Sequence, residues 1–341
     1  MKKKNETLPL GKLRSDILAS LIGRAPINDP SVILGPGVGM DCAVVDVGSK
    51  YLVYKSDPIT FATDEIGWYA VQVNVNDIAT TGAIPRWFLL TLLLPEGETT
   101  EDLVEKITDQ VYSACAEMSI AVIGGHTEIT HGLNRPIIAG TLIGEVDRDR
   151  LITPRGSHPG DRILLTKGVP IEATAIIARE FPDRVGEFLN ETELKQAVAF
   201  LTTPGISVLR DAQIALRAGK VTAMHDPTEG GLFSALWELS EACGHSLSID
   251  NSAVPIPHLA LRICKAFKMN PFAAIASGAL LVATTPDDTD SISGALEDEG
   301  IDCAEIGVVE DGPVGVWCES SIDRKEVIRP EQDEIARIFE S

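Results

Sequence analysis

Long apolar runs are the first thing that the 341-residue sequence lacks. No stretch approaches the roughly 20 consecutive apolar residues that a helix needs to cross a bilayer. The opening segment, MKKKNETLPLGKL, is basic but has no apolar core behind it, so it does not resemble a secretory leader. We therefore expect a cytoplasmic protein that does not bind membranes.

An excess of positive charge is missing as well. The formal net charge is -21 and the pI is near 4.6. Such a charge opposes binding to nucleic acid or to anionic membranes through a general field. A phosphorylated ligand would have to be bound by a local site or through a metal ion.

Two familiar site motifs are also absent. The six cysteines are scattered without a CxxC pair, so neither a zinc site nor a redox couple is indicated and buried free thiols are expected. Gly35, Gly37 and Gly39 form a glycine-rich segment, but no Lys-Ser/Thr follows them, so the segment is not a P-loop.

What remains is the composition of a globular protein, with 44% hydrophobic and 23% charged residues. The length fits two domains of ordinary size. The Pro- and Gly-rich segment LITPRGSHPGD, residues 151–161, has the composition of a linker. We place the domains at residues 1–152 and 158–341.

Hydrophobic patterning predicts a mixture of helices and strands in both halves. IGWYAVQVNVNDIATTG is ambiguous in period, but its length favours a helix. The other expectations are a strand YLVYKSD, a buried strand PRWFLLTLLLP, a helix opened by Thr99 and Asp102, paired strands AVIGGHTEIT and IIAGTLIGEV, a strand RILLTKG, a helix over 172–180, and strands near ALLVATT and VGVWC. Without strict alternation of strands and helices, the pattern favours an α+β or loosely α/β architecture over a doubly wound parallel sheet.

Acidic or amide groups recur at strand ends and glycine-rich turns. They are Asp41, Asp57, the pair Asn76-Asp77, the stretch Gly124-Gly125-His126-Thr127-Glu128, and Asp226. If they converge, each close pair of carboxylates repels by about 4 kcal/mol at an effective dielectric of 20. Hard oxygen ligands without paired thiolates point to Mg²⁺ bridging the protein and substrate phosphates.

Each of these places also has an ordinary structural interpretation. Asp57-Pro58 could form a turn, Asn76-Asp77 a helix surface, and the stretch 124–128 a bend between strands. Lys55 and Lys167 could neutralise phosphates or be solvated lysines. The site hypothesis depends on all these places coming together.

The stretch HDPTEGGLFSAL, residues 225–236, places two glycines directly before a run with helical spacing. A helix start offers backbone N–H groups without internal partners, and glycine leaves them unshielded. This pattern predicts an anion site at Gly230 and Gly231. The neighbouring Asp226 would repel a phosphate unless a cation lies between them.

Several segments occur in the order found in one known superfamily. They are GPGVGMDCAVV, KSDPIT, VNVNDIATTGAIPRWFL, GGHTE, TKGVPIEATAIIA and HDPTEGGL, and they span almost the whole chain. The sequence thus resembles the aminoimidazole ribonucleotide synthetase-like (PurM-like) superfamily, and within it the HypE-like hydrogenase maturation proteins. Thiamine-monophosphate kinase and selenophosphate synthetase belong to the same superfamily.

The resemblance implies a two-domain PurM-like α+β fold. In that fold the N-terminal domains of a homodimer pair into a β-barrel, and C-terminal α+β domains flank it. It also implies that ATP and Mg²⁺ bind in a cleft and that a phosphoryl group is transferred to an oxygen of an acceptor. The partners it implies are a second copy, a nucleotide and another maturation protein.

Residue roles follow from the same resemblance. The implied metal ligands are Asp41, Asp57, Asp77, Glu128 and Asp226; the catalytic residues are Asp57, Asp77 and His126; and the nucleotide is bound by Gly37, Gly39, Gly124, Gly125, Thr127, Gly230 and Gly231.

The sequence departs from HypE at two places. HypE ends in a tail with a terminal cysteine, whereas the last cysteine here is Cys318, in a strand-like segment. The GGHTE stretch replaces a cation of the corresponding HypE segment with His126 and Glu128. We therefore retain two alternatives, a non-catalytic nucleotide-binding scaffold and a thiamine-monophosphate kinase-like enzyme.

Overall fold

A computed structural model describes residue 8 and residues 13–37, 39–60, 64–319 and 324–339. Most of the basic amino-terminal segment therefore lies outside the described residues. Two sheets organise the chain, the first formed by residues 32–146 and the second by residues 162–326. Among the described helices, none is long and apolar enough to cross a membrane.

The first sheet has six strands in the order β1-β2-β3-β6-β4-β5. Its neighbouring strands are antiparallel except β4 and β5, which run parallel. The elements of this half are α1 (Ser15–Ile22), β1 (Val32–Leu34), β2 (Ala43–Asp46), β3 (Tyr51–Ile59), α2 (Ile66–Thr80), β4 (Ile84–Pro95), α3 (Glu101–Glu117), β5 (Ala121–Thr130) and β6 (Ile137–Val146).

The expected pairing of AVIGGHTEIT with IIAGTLIGEV is wrong. Both strands pair with β4 instead, on its two sides. The reason is the connection: helix α3 carries the chain from the end of β4 back to its start, which makes β5 parallel to β4, and β6 then lies between β3 and β4. The sheet is open, with β1 and β5 at its edges, so the described chain contains no closed barrel.

Helix α2 confirms the helical interpretation of the ambiguous segment. Thirteen of its fifteen residues are buried, which explains why its apolar residues do not form a single stripe. Helix α3 begins one residue later than expected: Leu103 N–H donates to Thr100 Oγ1 at 3.2 Å, whereas the Thr99 hydroxyl donates to the Pro95 carbonyl at 2.7 Å.

The second sheet has seven strands in the order β13-β12-β9-β11-β7-β10-β8. Only β9 and β12 are parallel, so both sheets are mostly antiparallel, as the α+β interpretation predicts. The elements of this half are β7 (Arg162–Thr166), α4 (Ile171–Glu180), α5 (Pro182–Gly186), α6 (Glu191–Val198), α7 (Leu209–Ala218), β8 (Val221–His225), α8 (Gly231–Cys243), β9 (Ser246–Ile249), α9 (His258–Phe267), β10 (Leu281–Thr284), α10 (Thr289–Asp298), β11 (Cys303–Glu310), β12 (Gly315–Glu319), β13 (Arg324–Glu326) and α11 (Glu334–Phe339).

Helix α2 joins the two halves through buried contacts. The Asn76 amide donates to the Ile206 carbonyl at 2.7 Å and accepts from Val208 N–H at 2.9 Å. Earlier on the same helix, Tyr69 packs on Ile171 and Ile206. This face of α2 therefore fixes where the acidic residues of the first half meet the second half.

Candidate functional site

Four of the predicted metal ligands come together where the two halves meet. Asp41 lies in the loop before β2, Asp57 on β3, Asp77 on α2, and Asp226 directly after β8. Asp77 is buried, and burial together with the charges of Asp226, Asp41 and Asp57 raises the pKa of its carboxyl group, opposed by Lys55. We call these four side chains the acidic cluster.

Lys55 supplies a positive charge within this acidic cluster. Its Nζ lies 2.8 Å from Asp77 Oδ2 and 3.3 Å from Asp57 Oδ2, and its side chain is only 11% exposed. Burial alone would lower the pKa of Lys55, but Asp77, Asp57 and Asp41 hold it well above its ordinary value. Lys55 is therefore a buried ammonium group, and its interpretation as a solvated lysine is wrong.

His225 is the second cation at the site. Its Nδ1 lies 3.1 Å from Asp41 Oδ2, and its Nε2 lies 2.9 Å from Glu238 Oε2. Burial would lower the pKa of His225, but Asp41 and Glu238 raise it well above the ordinary value. Glu238 also binds Arg329 at 2.9 Å, so a line of alternating charges leads from the acidic cluster to the C-terminal segment.

Asp226 has an unsatisfied oxygen. The residue is 3% exposed, and its Oδ1 has no hydrogen-bond partner among the described residues. Burial raises the pKa of Asp226 to about 6, and the charge of His225 opposes that shift. Buried carboxylate oxygens in native proteins are almost always paired, so this oxygen is available to a ligand.

The acidic cluster has the donor set of a Mg²⁺ site, although its ligands are not preassembled. Carboxylate oxygens are the ligands that Mg²⁺ prefers, and the unpaired Asp226 oxygen would be satisfied by a cation. Within the described part of the chain, no group of three or more His, Cys, Asp or Glu side chains is already arranged to hold a metal ion. In this structure the Lys55 ammonium group supplies the positive charge next to Asp57 and Asp77.

The first glycine-rich segment lies against helix α8. Gly39 has φ +71°, and a Cβ there would come within 3.0 Å of the Glu238 carbonyl oxygen. At Gly37 a Cβ would come within 2.9 Å of the Met40 side chain. Gly39 is therefore needed for close packing next to Asp41, whereas at Gly37 the flexible Met40 side chain could move aside; contact of either glycine with a nucleotide stays a prediction.

The second glycine pair already has acceptors within the chain. Gly230 N–H donates to Asp333 Oδ2 at 2.6 Å, and Gly231 N–H donates to the Thr228 carbonyl at 2.9 Å. Asp333 comes from the C-terminal segment, which the sequence did not connect with this turn. A phosphate that used Gly230 N–H would have to displace the Asp333 carboxylate.

The stretch 124–128 lies apart from the acidic cluster within one chain. It forms part of the edge strand β5, where residues 121–129 are exposed. Asp57 and Gly125 occupy the same row across the sheet but are separated by β6 and β4, which is about 14 Å at the usual strand spacing. His126 Nε2 lies 3.0 Å from Glu128 Oε2, and both side chains are largely exposed.

Gly125 explains the glycines of β5. A Cβ at Gly125 would lie 1.8 Å from the Leu90 carbonyl oxygen, so no other residue fits beside β4. Gly125 thus has a structural role, and binding of a nucleotide by Gly124, Gly125 and Thr127 remains a prediction.

Lys167 has a structural environment. Its Nζ lies 3.0 Å from Asp211 Oδ2 and donates to the Ser207 carbonyl at 2.6 Å. Asp211 is further satisfied by the Thr166 hydroxyl at 2.7 Å. This pair belongs to the second half, and the Lys167 side chain is only 7% exposed, so its interpretation as a solvated lysine is wrong as well. Lys167 contacts the carboxylate of Asp211, whereas Lys55 contacts those of Asp57 and Asp77.

Sequence patterns missed His225 and Glu238 as members of the site. His225 precedes Asp226 directly, which could have indicated its proximity. Glu238 occupies a position in α8 that the sequence pattern assigns to the helix surface. Only the packing of α8 against the first glycine-rich segment shows that Glu238 belongs to the site.

Residues 39–146 match the N-terminal domain of AIR synthase related proteins, and residues 158–318 match the C-terminal domain of the same family. Together the two matches span most of the chain. The chain belongs to the AIR synthase related proteins.

Relatives of this AIR synthase related protein include hydrogenase maturation proteins. A Methanocaldococcus jannaschii protein named for hydrogenase expression or formation is 30% identical over 96% of this chain and 97% of its own length. Carbamoyl dehydratase HypE of Cupriavidus necator is 28% identical over 75% of this chain and 71% of its own length.

Solved structures share the fold. HypE in complex with ATP has a TM-score of 0.69 at 22% identity, covering 89% of this chain and 91% of that one. ThiL of Aquifex aeolicus, in complex with AMPPCP and TMP, has a TM-score of 0.70 at 20% identity, covering 93% and 99%. The HypE–HypF complex has a TM-score of 0.69 at 20% identity, covering 84% of this chain and 93% of the matched chain. At these identities the comparison confirms the two-domain PurM-like fold.

Proposed function

We propose that the protein binds ATP with Mg²⁺ at the acidic cluster and transfers the γ-phosphoryl group to an oxygen of a small-molecule or protein-borne acceptor. The observation that carries this proposal is the convergence of Asp41, Asp57 and Asp77 from one half with Asp226 from the other around Lys55. Phosphoryl transfer needs positioning and neutralisation of charge more than acid-base groups, and this arrangement supplies both. Solved relatives of the same fold hold ATP or AMPPCP.

In this proposal the four carboxylates hold Mg²⁺, which would neutralise the phosphates when bound. Lys55 remains next to Asp57 and Asp77 and orients their oxygens. His225 holds Asp41 in place from the second half. The assignments of Asp57 and Asp77 as catalytic residues rest on the same contacts.

A homodimer would bring the residues of β5 to the site. Strand β5 is the edge of its sheet, and its exposed apolar side chains, Val122, Ile123 and Ile129, are suited to contact another surface. Pairing two copies through their N-terminal sheets would bring His126, Thr127 and Glu128 of one copy towards the acidic cluster of the other. The dimeric barrel, the domain limits and the phosphate roles of these residues are part of this proposal.

The reaction would serve maturation of a hydrogenase or of another metalloenzyme, with a second maturation protein as partner. The names of the relatives and the HypE–HypF complex support this context. A thiamine-monophosphate kinase-like reaction is the second candidate, because ThiL with AMPPCP and TMP shares the fold over almost the whole chain.

Isothermal titration of ATP with and without Mg²⁺ tests the proposal. Wild-type protein should bind ATP in a Mg²⁺-dependent manner, and Asp57→Asn should lose that dependence. Asp46→Asn is the matched control, because Asp46 lies on the same sheet but is paired with Arg148. Failure of the wild type to bind ATP would refute both the enzyme and the scaffold interpretations, and binding without turnover of any acceptor would favour the scaffold.

A further inference from the structure

The segment TKGVPIEATAII, residues 166–177, has no role in the proposed site, although it contains two buried charged side chains. One of them, Lys167, is fully satisfied by Asp211 and by the Ser207 carbonyl. The other, Glu172, is not. It is 5% exposed, and its Oε2 has no hydrogen-bond partner among the described residues.

An unsatisfied carboxylate oxygen at this depth is unusual. Native structures pair nearly all buried polar groups, and the exceptions concentrate at catalytic and ligand-binding positions. A carboxylate kept for stability would have the environment of Asp161, which is also buried but accepts from His158 N–H at 2.9 Å and from the Thr222 hydroxyl at 2.7 Å. The contrast indicates that the partner of the Glu172 Oε2 atom is a group outside the chain.

Backbone contacts place Glu172 beside the glycine turn. Ala173 N–H donates to the Ile275 carbonyl at 3.1 Å, which holds the first turn of α4 next to residues 275–278. The Gly231 backbone lies against the same segment, since a Cβ there would meet the Ala274 carbonyl oxygen at 2.6 Å. Glu172 thus faces the turn that follows Asp226.

Helix α2 of the first half contributes to the same region. Tyr69 packs on Ile171, the residue that precedes Glu172. Gln72, three residues further along α2 and 5% exposed, also has a side-chain oxygen, Oε1, without a partner. Two buried acceptor oxygens, one on α2 and one on α4, therefore have no donor among the described residues, which suits a ligand that brings O–H or N–H groups.

The charges around Glu172 favour its uncharged form near neutrality. Burial raises the pKa of Glu172 to about 7, the Ser277 side chain opposes the shift as a hydrogen-bond donor, and the charges of Glu229, Asp333 and Asp226 add to it. Tyr69 on α2, Arg179 and Glu180 on α4, and Glu65 before α2 are further titratable groups on this side. A carboxyl group in this range can both accept and release a proton at physiological pH.

We propose that Glu172 is the catalytic carboxylate on the acceptor side of this site, and that Gln72 helps to orient the acceptor. This inference rests on the proposed phosphoryl transfer. As the acceptor oxygen attacks the γ-phosphorus of ATP, an O–P bond forms and the bond from the γ-phosphorus to ADP breaks, with its electron pair leaving on ADP. Glu172 Oε2 takes the proton that the acceptor loses and later releases it to solvent.

The first test measures ATP turnover with water as the acceptor across pH 5 to 9. Glu172→Gln should lower kcat on the order of a hundredfold, with the KM for ATP within about twofold, and should remove the acid limb of the pH profile. Glu172→Asp should retain the limb with a smaller loss. Asp161→Asn, the matched buried carboxylate, should leave the profile unchanged.

A retained acid limb or a kcat within threefold of the wild type in Glu172→Gln would overturn the inference. Wild-type protein that binds Mg-ATP but does not turn it over with any acceptor would refute the proposed phosphoryl transfer, and absence of ATP binding would refute the proposed function as a whole; this inference rests on both and would fall with them. Turnover that persists in Glu172→Gln refutes the role of Glu172 alone, so the failures are distinguishable.

A second measurement does not depend on turnover. Because the pKa of Glu172 is raised in the folded protein, its ionisation should reduce stability as pH rises from its ordinary pKa of 4.5 through about 7. Glu172→Gln should therefore melt a few degrees above the wild type at pH 8, with a smaller difference at pH 5. A variant that melts below the wild type at pH 8 would show that the carboxylate is structural and would refute the inference.

Discussion

The acidic cluster and strand β5 contain two groups of predicted site residues, and the structure places these groups in different environments. The acidic cluster is assembled within one chain from four separate segments, with Asp77 and Asp226 buried and Asp41 and Asp57 partly exposed. Strand β5 presents His126, Thr127 and Glu128 at an exposed sheet edge, three strands away from Asp57. Motifs that look equally functional in sequence can therefore lie in a cluster gathered from both halves of the chain or on an exposed sheet edge.

The largest expected effect comes from removing the cation of the acidic cluster. Lys55→Met should cost about 3 kcal/mol of unfolding free energy, because it leaves the buried Asp77 carboxylate without its counter-ion. Urea denaturation at pH 7 measures this loss. Lys50→Met is the control, since Lys50 is largely exposed beside Glu145 and should cost under about 1 kcal/mol. Equal losses in the two variants would mean that Lys55 is not a central charge of the site.

Mixing two inactive variants tests directly whether β5 serves a second copy. Asp77→Asn and His126→Ala should each abolish ATP turnover. Coexpressed with different tags and purified as a mixture, they should regain about a quarter of wild-type turnover, because half of the dimers are mixed and each mixed dimer has one intact site.

The control for this experiment is a mixture of Asp77→Asn with Asp57→Asn. Both substitutions fall in the acidic cluster, so no dimer contains an intact site and turnover should stay at background. Recovery in the control mixture, or its absence in the first mixture although dimers form, would contradict a site shared between copies.

The ion pairs of His225 predict a pH-dependent stability. Because its pKa is raised in the folded protein, its contribution is fully present below the ordinary pKa near 6.5 and is lost as pH rises through the folded value. His225→Asn should therefore lower the melting temperature by several degrees at pH 6 and by less at pH 9. The exposed His131 provides the control, since His131→Asn should melt like the wild type at both pH values. A constant difference across pH would refute the charged state of His225.

The smallest expected effect concerns the glycine turn. Asp333→Ala removes the carboxylate that Gly230 N–H binds, and it frees this donor for a phosphate. We expect the affinity for ATP to rise about fivefold, which corresponds to one ordinary hydrogen bond. Asp311→Ala, an exposed carboxylate, is the control in the same titration. Weaker binding in Asp333→Ala would show that Asp333 supports the turn and does not compete with the ligand.

Local pattern was sufficient for several of the longer elements. The apolar run of β4, the helix α2 and the helix over 172–180 were predictable because each has enough residues for its period or length to decide. Strand pairing was not predictable: the parallel course of β5 depends on where α3 returns the chain. Strands β1, β8, β9, β11 and β13 were missed. Strands β1, β8, β9 and β13 have only three to five residues each, and the longer β11 has a mixed pattern that does not alternate clearly.

The candidate site shows the same division. Asp41, Asp57, Asp77 and Asp226 could be selected from sequence as a candidate site. Carboxylates that converge from strand ends and turns repel one another, and a bound cation would offset that repulsion. The cationic role of Lys55 could not be predicted, since only burial and the 2.8 Å contact with Asp77 distinguish it from a solvated lysine. The engagement of Gly230 with Asp333 could not be foreseen either, because the two residues are 103 positions apart.

By itself, the sequence determined the acidic character of this protein, its two mixed halves and the chemistry of its oxygen ligands, because these follow from composition and from short-range spacing. Tertiary structure decided which of those ligands meet, which cations neutralise them, and that Glu172 is buried with an unsatisfied oxygen. The physical reason is that burial and Coulomb energies depend on distances between residues far apart in the chain, and those distances are set only when the two sheets pack against α2.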